Sequence, residues 1–366
     1  MFKKAVFPGK YIQGAGALTE LPALLDSFGN RALILASPTA RKSVLPSCGI
    51  DWTTRSDLIE TFGGECCESE LSRVASLIAQ HGANVLVAVG GGKTIDTAKI
   101  AADRANLPVV VVPTIASTDA PCSGCAVLYT ETGVFQSVYY QKMNPAAVLV
   151  DESIIAAAPT RFLVAGMGDA LATWFEADSC RRTQSANACG GLSPMVGHHI
   201  ARLCYDTLLE YGLLAKIACD NHLVTPAFSR IVEANVLLSG IGFESGGLGA
   251  AHSIHNGFTA LEETHRFYHG EKVAFGVLAG LQLTDAPPAE SDVVYAFCET
   301  VGLPTTLADL GITTWSRESL LPVAEKACDP VECIHHEAGQ ITPATVLHAI
   351  LAADAIGQRR KPPQPR

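Results

Sequence analysis

The chain has 366 residues, and at roughly 150 residues per domain this excludes one small module and predicts two domains. Hydrophobic residues make up 48% and charged residues 17%, well under the about 25% usual for soluble proteins, which excludes a disordered chain and predicts extensive burial, subunit interfaces included. The net charge is −10 and basic residues cluster only in the terminal Arg359-Arg360-Lys361-Pro362-Pro363-Gln364-Pro365-Arg366, so no nucleic-acid partner is expected.

In chain order, Pro8, Gly9 and Lys10 interrupt any apolar leader before it starts, which predicts a protein retained in the cytoplasm. Residues 31–37 read as a buried strand, 70–80 as an amphipathic helix, 85–89 as a strand, 93–106 as a helix and 108–112 as another strand. Continuous apolar strands joined by crossover helices imply a mostly parallel, Rossmann-like sheet that binds ligands beyond the carboxyl ends of its strands. Residues 126–140 read as a hairpin turning at Glu131-Thr132-Gly133, and 147–151 as a further strand. Beyond it the pattern is helical, with long periodic stretches at 195–218 and 226–238. The expected division is therefore an α/β dinucleotide-binding domain, 1–157, and an all-helical metal- and substrate-binding domain, 158–366, with a disordered tail from Lys361. No stretch is long and uncharged enough to span a membrane, the Ala-rich segment 146–174 carrying Asp151, Glu152, Arg161 and Asp169. The cysteines are scattered and read as free thiols. Cys122 and Cys125 have a spacing that permits a redox pair or half a zinc site, but without a second such pair a structural role is expected.

Three segments carry chemistry. Gly90-Gly91-Gly92-Lys93 joins a strand to a helix, where backbone N–H groups can approach an anion at the positive end of the helix dipole; a plain tight turn is the alternative. It is neither a P-loop, for which Val87 would have to be glycine, nor the usual dinucleotide fingerprint, for which Ile95 would. The hydroxyls of Thr114, Ser117 and Thr118 follow the next strand, suited to a cofactor or only to capping their own loop. Finally, Asp169 lies in an apolar helix where a carboxylate needs a cation or donor, His252 and His255 share a helical face, and His269 opens the next helix. One carboxylate with two imidazoles leaves a coordination position free, as in catalytic zinc sites.

These segments, with Gly168-Asp169-Ala170-Leu171-Ala172-Thr173-Trp174, Gly242-Phe243-Glu244-Ser245-Gly246-Gly247-Leu248 and His269-Gly270-Glu271-Lys272, resemble in order the metal-dependent group III alcohol dehydrogenases that oxidise glycerol. The similarity runs from about Pro8 to Arg359. It implies a dehydroquinate synthase-like fold, NAD and Zn2+ as cofactors, a small polyol as substrate (glycerol, giving dihydroxyacetone) and a homo-oligomer, an octamer. By resemblance, Gly91, Gly92 and Lys93 meet the pyrophosphate, and Thr114, Ser117, Ser123, Cys125 (through its backbone) and Tyr129 surround the dinucleotide. Asp119 touches the polyol, His255 relays a proton or merely packs, and Asp169, His252 and His269 hold zinc. Two positions depart from the pattern. Thr173 stands where iron-dependent relatives place a fourth ligand, histidine, which favours zinc. Ser37 stands where an aspartate often binds the adenosine ribose, which weakens discrimination of NAD from NADP. Related readings, a glycerol-1-phosphate dehydrogenase or a dehydroquinate-synthase-like lyase, need a basic phosphate pocket that the segments around Asp119 and Asp169 do not supply.

Overall fold

The computed structural model describes residues 1–361; the tail expected to be disordered lies, from 362 on, outside the described residues. The chain divides into two compact units. One comprises Val6–Phe162 with Ala218–Gly240, the other Met1–Ala5, Leu163–Ile217 and Ile241–Arg366. The division is not a single cut: the first five residues join the helical unit, and 218–240 joins the sheet unit.

In the sheet unit six strands run parallel in the order β1-β8-β5-β4-β2-β3. They are β1 (Tyr11–Gly14), β2 (Ala32–Ala36), β3 (Leu58–Thr61), β4 (Val85–Gly90), β5 (Val109–Pro113) and β8 (Ala147–Asp151). The four central strands are buried along their whole length, as unbroken Val, Leu, Ile and Ala runs covered on both faces require. From β2 the chain goes outward to β3, then crosses back over β2 to β4 and continues the other way through β5 to β8. The switch point, where a crevice opens beyond the strand ends, therefore lies between β2 and β4. Strands β6 (Cys125–Tyr129) and β7 (Phe135–Tyr140) form the expected antiparallel hairpin. Its turn is closed by Gly133 at φ 79°, with Thr130 N–H donating to the Val134 carbonyl at 2.8 Å.

The helical unit is built from Thr160–Thr183, Met195–Asp220, Ala250–Phe258, His269–Leu283, Pro288–Val301, Arg317–Ala327 and Pro343–Arg360. The stretch 226–238 is not one α-helix. It is an α-helix over Pro226–Glu233, a π-helical turn over Ala234–Leu238 and a new α-helix from Ser239. Among the described residues no helix is long and apolar enough to cross a membrane.

Candidate metal and cofactor sites

In the sheet unit, Gly90 ends β4 and Gly91 is the N-cap of the helix Gly92–Arg104. None of the three glycines has a positive φ, so backbone freedom does not explain them. A Cβ on Gly90 would stand 2.8 Å from Thr94 Oγ1 and 3.1 Å from Ser37 Cβ, whereas one on Gly92 would meet nothing within 4 Å. The turn closes tightly on Ser37 at the switch point and leaves the helix N-terminus, with its unsatisfied N–H groups, open to an anion. Lys93 does not point freely there: its Nζ is 2.5 Å from Glu65 Oε2 and 5.1 Å from the Tyr129 ring centre. Ser37 extends the ladder through its N–H to the Val89 carbonyl and accepts the Ala40 N–H at its Oγ, 3.2 Å. Arg41 turns its guanidinium to the Ile59 carbonyl.

Thr114 continues the β4–β5 ladder with an N–H bond to the Gly90 carbonyl, and Thr114 and Ser117 are both half-buried in the loop beyond β5. Ser123 differs. It is buried, and its Oγ lies 3.2 Å from the ammonium of Lys99. Lys99 is fully buried on the glycine-loop helix and also donates to the carbonyls of Ala120 (2.7 Å) and Cys125 (2.6 Å). One buried cation thus ties the loop 120–125 to the helix, and the Cys125 carbonyl is engaged inward. Cys122 and Cys125 are free thiols, as are the other cysteines. Asp119, 9% exposed, accepts a 2.7 Å hydrogen bond at Oδ2 from Ser239, and Asn235 Nδ2 donates to the Ala116 carbonyl at 3.0 Å. The π-helical turn and the residue after it therefore hold the 116–122 loop, which explains why 218–240 belongs with the sheet.

In the helical unit, Asp169 sits in the middle of Thr160–Thr183 with 1% exposure. A Cβ on Gly168 would run into the Gly270 carbonyl, and one on Gly270 into the Ala165 carbonyl. These two glycines let the start of the helix His269–Leu283 lie directly on the Asp169 helix. His252, on Ala250–Phe258, completes the group: ligand atoms of Asp169, His252 and His269 all lie within 4.8 Å of one another. Asp169 Oδ1 is 3.1 Å from His269 Nε2 and 3.4 Å from His252 Nε2. Thr173, one turn after Asp169, is fully buried, and its Cγ2 would be 2.5 Å from a Cβ on Gly242, so that position is filled by packing.

Glu176, two turns after Asp169 on the same helix, accepts from the His252 backbone N–H at Oε1 (2.9 Å) and faces His252 Nδ1 at Oε2 (2.7 Å). A carboxylate only accepts, so Nδ1 carries a hydrogen and Nε2 is the nitrogen turned to the cluster, where a metal would take the place of a proton. Glu337 accepts the Ala250 N–H at 2.9 Å, a second carboxylate at that helix's positive end. Burial opposes charge on Asp169, yet His269 and His252 hold its carboxyl well below the usual range. Burial likewise opposes protonation of His252, but Glu176 and Asp169 outweigh it and raise its pKa well above the ordinary imidazole value. Both shifts mark a place built for positive charge, and the donor set fits a divalent cation. His255 is buried behind His269, with Nε2 3.1 Å from His269 Nδ1.

Asp169, His252, His269 and His255 thus lie together in one unit, while Ser37, Gly91, Gly92, Lys93, Thr114, Ser117, Asp119, Ser123, Cys125 and Tyr129 all belong to the other. Glu176, Lys99 and Ser239 were not foreseen from the sequence. The first had a readable signal, since acids seven residues apart share a helix face.

Residues 8–152 match the family model for iron-containing alcohol dehydrogenases. Over 362 residues, 99% of both chains, the sequence is 53% identical to a glycerol dehydrogenase of Thermotoga maritima. It is 49% identical to a glycerol dehydrogenase of Pseudomonas putida over 96% of this chain and 97% of that one. The fold is similar to the crystal structure of a probable glycerol dehydrogenase from Sinorhizobium meliloti, with TM-score 0.92 and 47% identity over 98% of this chain and 100% of the other.

Proposed function

The chain belongs to the iron-containing alcohol dehydrogenase family, and from that membership we propose that it oxidises glycerol to dihydroxyacetone, reversibly, using zinc and NAD. The carrying observation is the convergence of Asp169, His252 and His269, three ligand atoms within 4.8 Å with Glu176 aiming one imidazole at the centre. Zinc is favoured over iron because the position for a fourth protein ligand holds Thr173, packed and apolar toward Gly242, and zinc accepts three protein ligands with the fourth place left for substrate or water. When bound, the cation supplies a Lewis acid that lowers the pKa of an alcohol hydroxyl, and NAD supplies the hydride acceptor.

The chain's own residues bind and orient. Asp169, His252 and His269 hold the metal. The N–H groups of Gly91, Gly92 and Lys93 receive the pyrophosphate at an open helix N-terminus, Ser37 meets the adenosine ribose at the switch point, and Thr114, Ser117 and Tyr129 line the dinucleotide. Ser123 and Cys125 shape that surface through Lys99. Asp119, held by Ser239, accepts a hydrogen bond from a polyol hydroxyl. Assembly as a homo-oligomer is supported by the exposed Leu203, Leu213, Leu214 and Ile217 along one helix.

Initial rates with glycerol, 1,2-propanediol, 2,3-butanediol and glycerol phosphates, with each nicotinamide cofactor, test the substrate and cofactor. His252→Ala and His269→Ala test the metal: both are expected to lose bound zinc and glycerol oxidation while remaining folded. Normal turnover in a zinc-free variant would overturn the assignment.

A further inference from the structure

We infer that Glu332, Asn256 and His255 form a chain of hydrogen bonds that fixes His269 in the one tautomer able to bind a metal, so that His255 is a positioning residue. The inference rests on the metal reading above.

The chain starts at Glu332. Asn256 Nδ2 lies 2.9 and 3.1 Å from the two oxygens of this carboxylate, which can only accept. The amide nitrogen must therefore face Glu332, since the flipped amide would set its oxygen against two others. Asn256 Oδ1 is left facing His255 Nδ1 at 3.1 Å, and an amide oxygen only accepts, so His255 carries its hydrogen on Nδ1. His255 Nε2 is then an acceptor. It lies 3.1 Å from His269 Nδ1, which must donate, so Nε2 is the nitrogen left to face Asp169 Oδ1 at 3.1 Å, where a metal shared with that carboxylate would take the place of a proton. Each link has one allowed direction once the carboxylate at the far end is fixed.

The backbone beyond that carboxylate is itself held. Two residues on, the Ile334 N–H donates to the buried Ser253 Oγ at 2.9 Å, which docks the turn Cys333–His336 on the helix that carries His252, His255 and Asn256. The two histidine ligands are thus oriented by different carboxylates, His252 directly by Glu176 and His269 through two intermediates by Glu332. Breaking the chain lets His255 put its hydrogen on Nε2, which turns His269 to the tautomer whose Nε2–H blocks coordination. Loss of such an outer partner typically lowers metal affinity about 10–100-fold.

The test is the zinc dissociation constant of the full-length protein, measured by chelator competition, for wild type, Asn256→Leu, His255→Leu and His255→Gln. Glutamine restores an acceptor opposite His269 Nδ1; leucine fills the space without one. The two leucine variants are expected to bind zinc about 10–100-fold more weakly, with His255→Gln within about threefold of wild type, and all four to melt alike when zinc-free. Unchanged constants in both leucine variants, or a glutamine variant as weak as His255→Leu, would overturn the inference while leaving the metal reading standing. Wild type that takes up no zinc would overturn the metal reading and this one with it. If a leucine variant fails to fold, Asn256→Ala and Glu332→Gln, compared singly, read the same chain from its far end: alanine removes the acceptor that faces His255 Nδ1 and is expected to weaken zinc, glutamine keeps an oxygen toward Asn256 Nδ2 and is expected to weaken it less, and an alanine variant equal to wild type counts against it.

Discussion

Ser239 is fully buried and gives its hydroxyl hydrogen to Asp119, so its removal takes one donor from a carboxylate that has little access to water. A hydrogen bond to a charged group contributes about 1.5–3 kcal/mol, enough to let Asp119 turn from the direction in which it meets a polyol. Ser239→Ala is expected to lower kcat/KM for glycerol by roughly ten- to a hundredfold with zinc content unchanged. A fall in zinc with the same substitution would instead place the Asp119 loop in the metal's support. Ser37 is a residue-scale question of a different kind. Its Oγ caps the turn at Ala40, a task aspartate performs equally well, so Ser37→Asp keeps the local structure while adding a charge at the switch point. Arg41 directs its guanidinium to the Ile59 carbonyl. Restoring about 1.4 kcal/mol of repulsion toward a 2′-phosphate would raise the ratio of NAD to NADP efficiency about tenfold, and an unchanged ratio would show that position 37 does not face the ribose.

Two glycines on the helix His269–Leu283 separate close approach from mere propensity. A Cβ on Gly270 would overlap the Ala165 carbonyl of the Asp169 helix, whereas one on Gly280 would make an ordinary 3.5 Å contact with Ala250 Cβ. Gly270→Ala is expected to destabilise by about 1–3 kcal/mol and, by lifting His269 off Asp169, to lose zinc. Gly280→Ala is expected to gain about 0.5–1 kcal/mol from helix propensity and keep it, with melting temperature and metal content as the two measurements. The legibility of the elements follows from the same physics. β2, β4, β5 and β8 are continuous apolar runs and read directly, but β1 and β3 are four-residue edge strands, half-buried, whose Gln13 and Glu60 break the run that marks a central strand. The stretch 226–238 kept its apolar period although its last turn is π-helical, because one widened turn barely disturbs a hydrophobic repeat. In the site, the carboxylate and imidazoles could be picked out by residue type, and resemblance gave their roles. Lys99 and Ser239 could not, since their partners are backbone carbonyls and a loop carboxylate whose positions only the fold specifies.

At the scale of the whole molecule, the residues assigned to the metal and those assigned to the dinucleotide belong to different compact units. A ligand that binds only the folded state stabilises by an amount set by its concentration relative to its dissociation constant, about 2.7 kcal/mol at a hundredfold excess over Kd. Zinc and NAD should each stabilise by such an amount and so raise the melting temperature, and chelation should remove the zinc increment alone. His252→Ala should abolish the zinc increment while leaving the NAD increment close to wild type, because the bonds of His252 run to Glu176 and Asp169, within its own unit. Conversely, Gly92→Val should fill the open space above the helix N-terminus and remove the NAD increment while zinc still stabilises. Calorimetric scans of the three proteins with zinc, with NAD and with a chelator check both halves. Loss of both increments in either variant would show that one binding event depends on the other, and that the division of labour between the units is not as assigned.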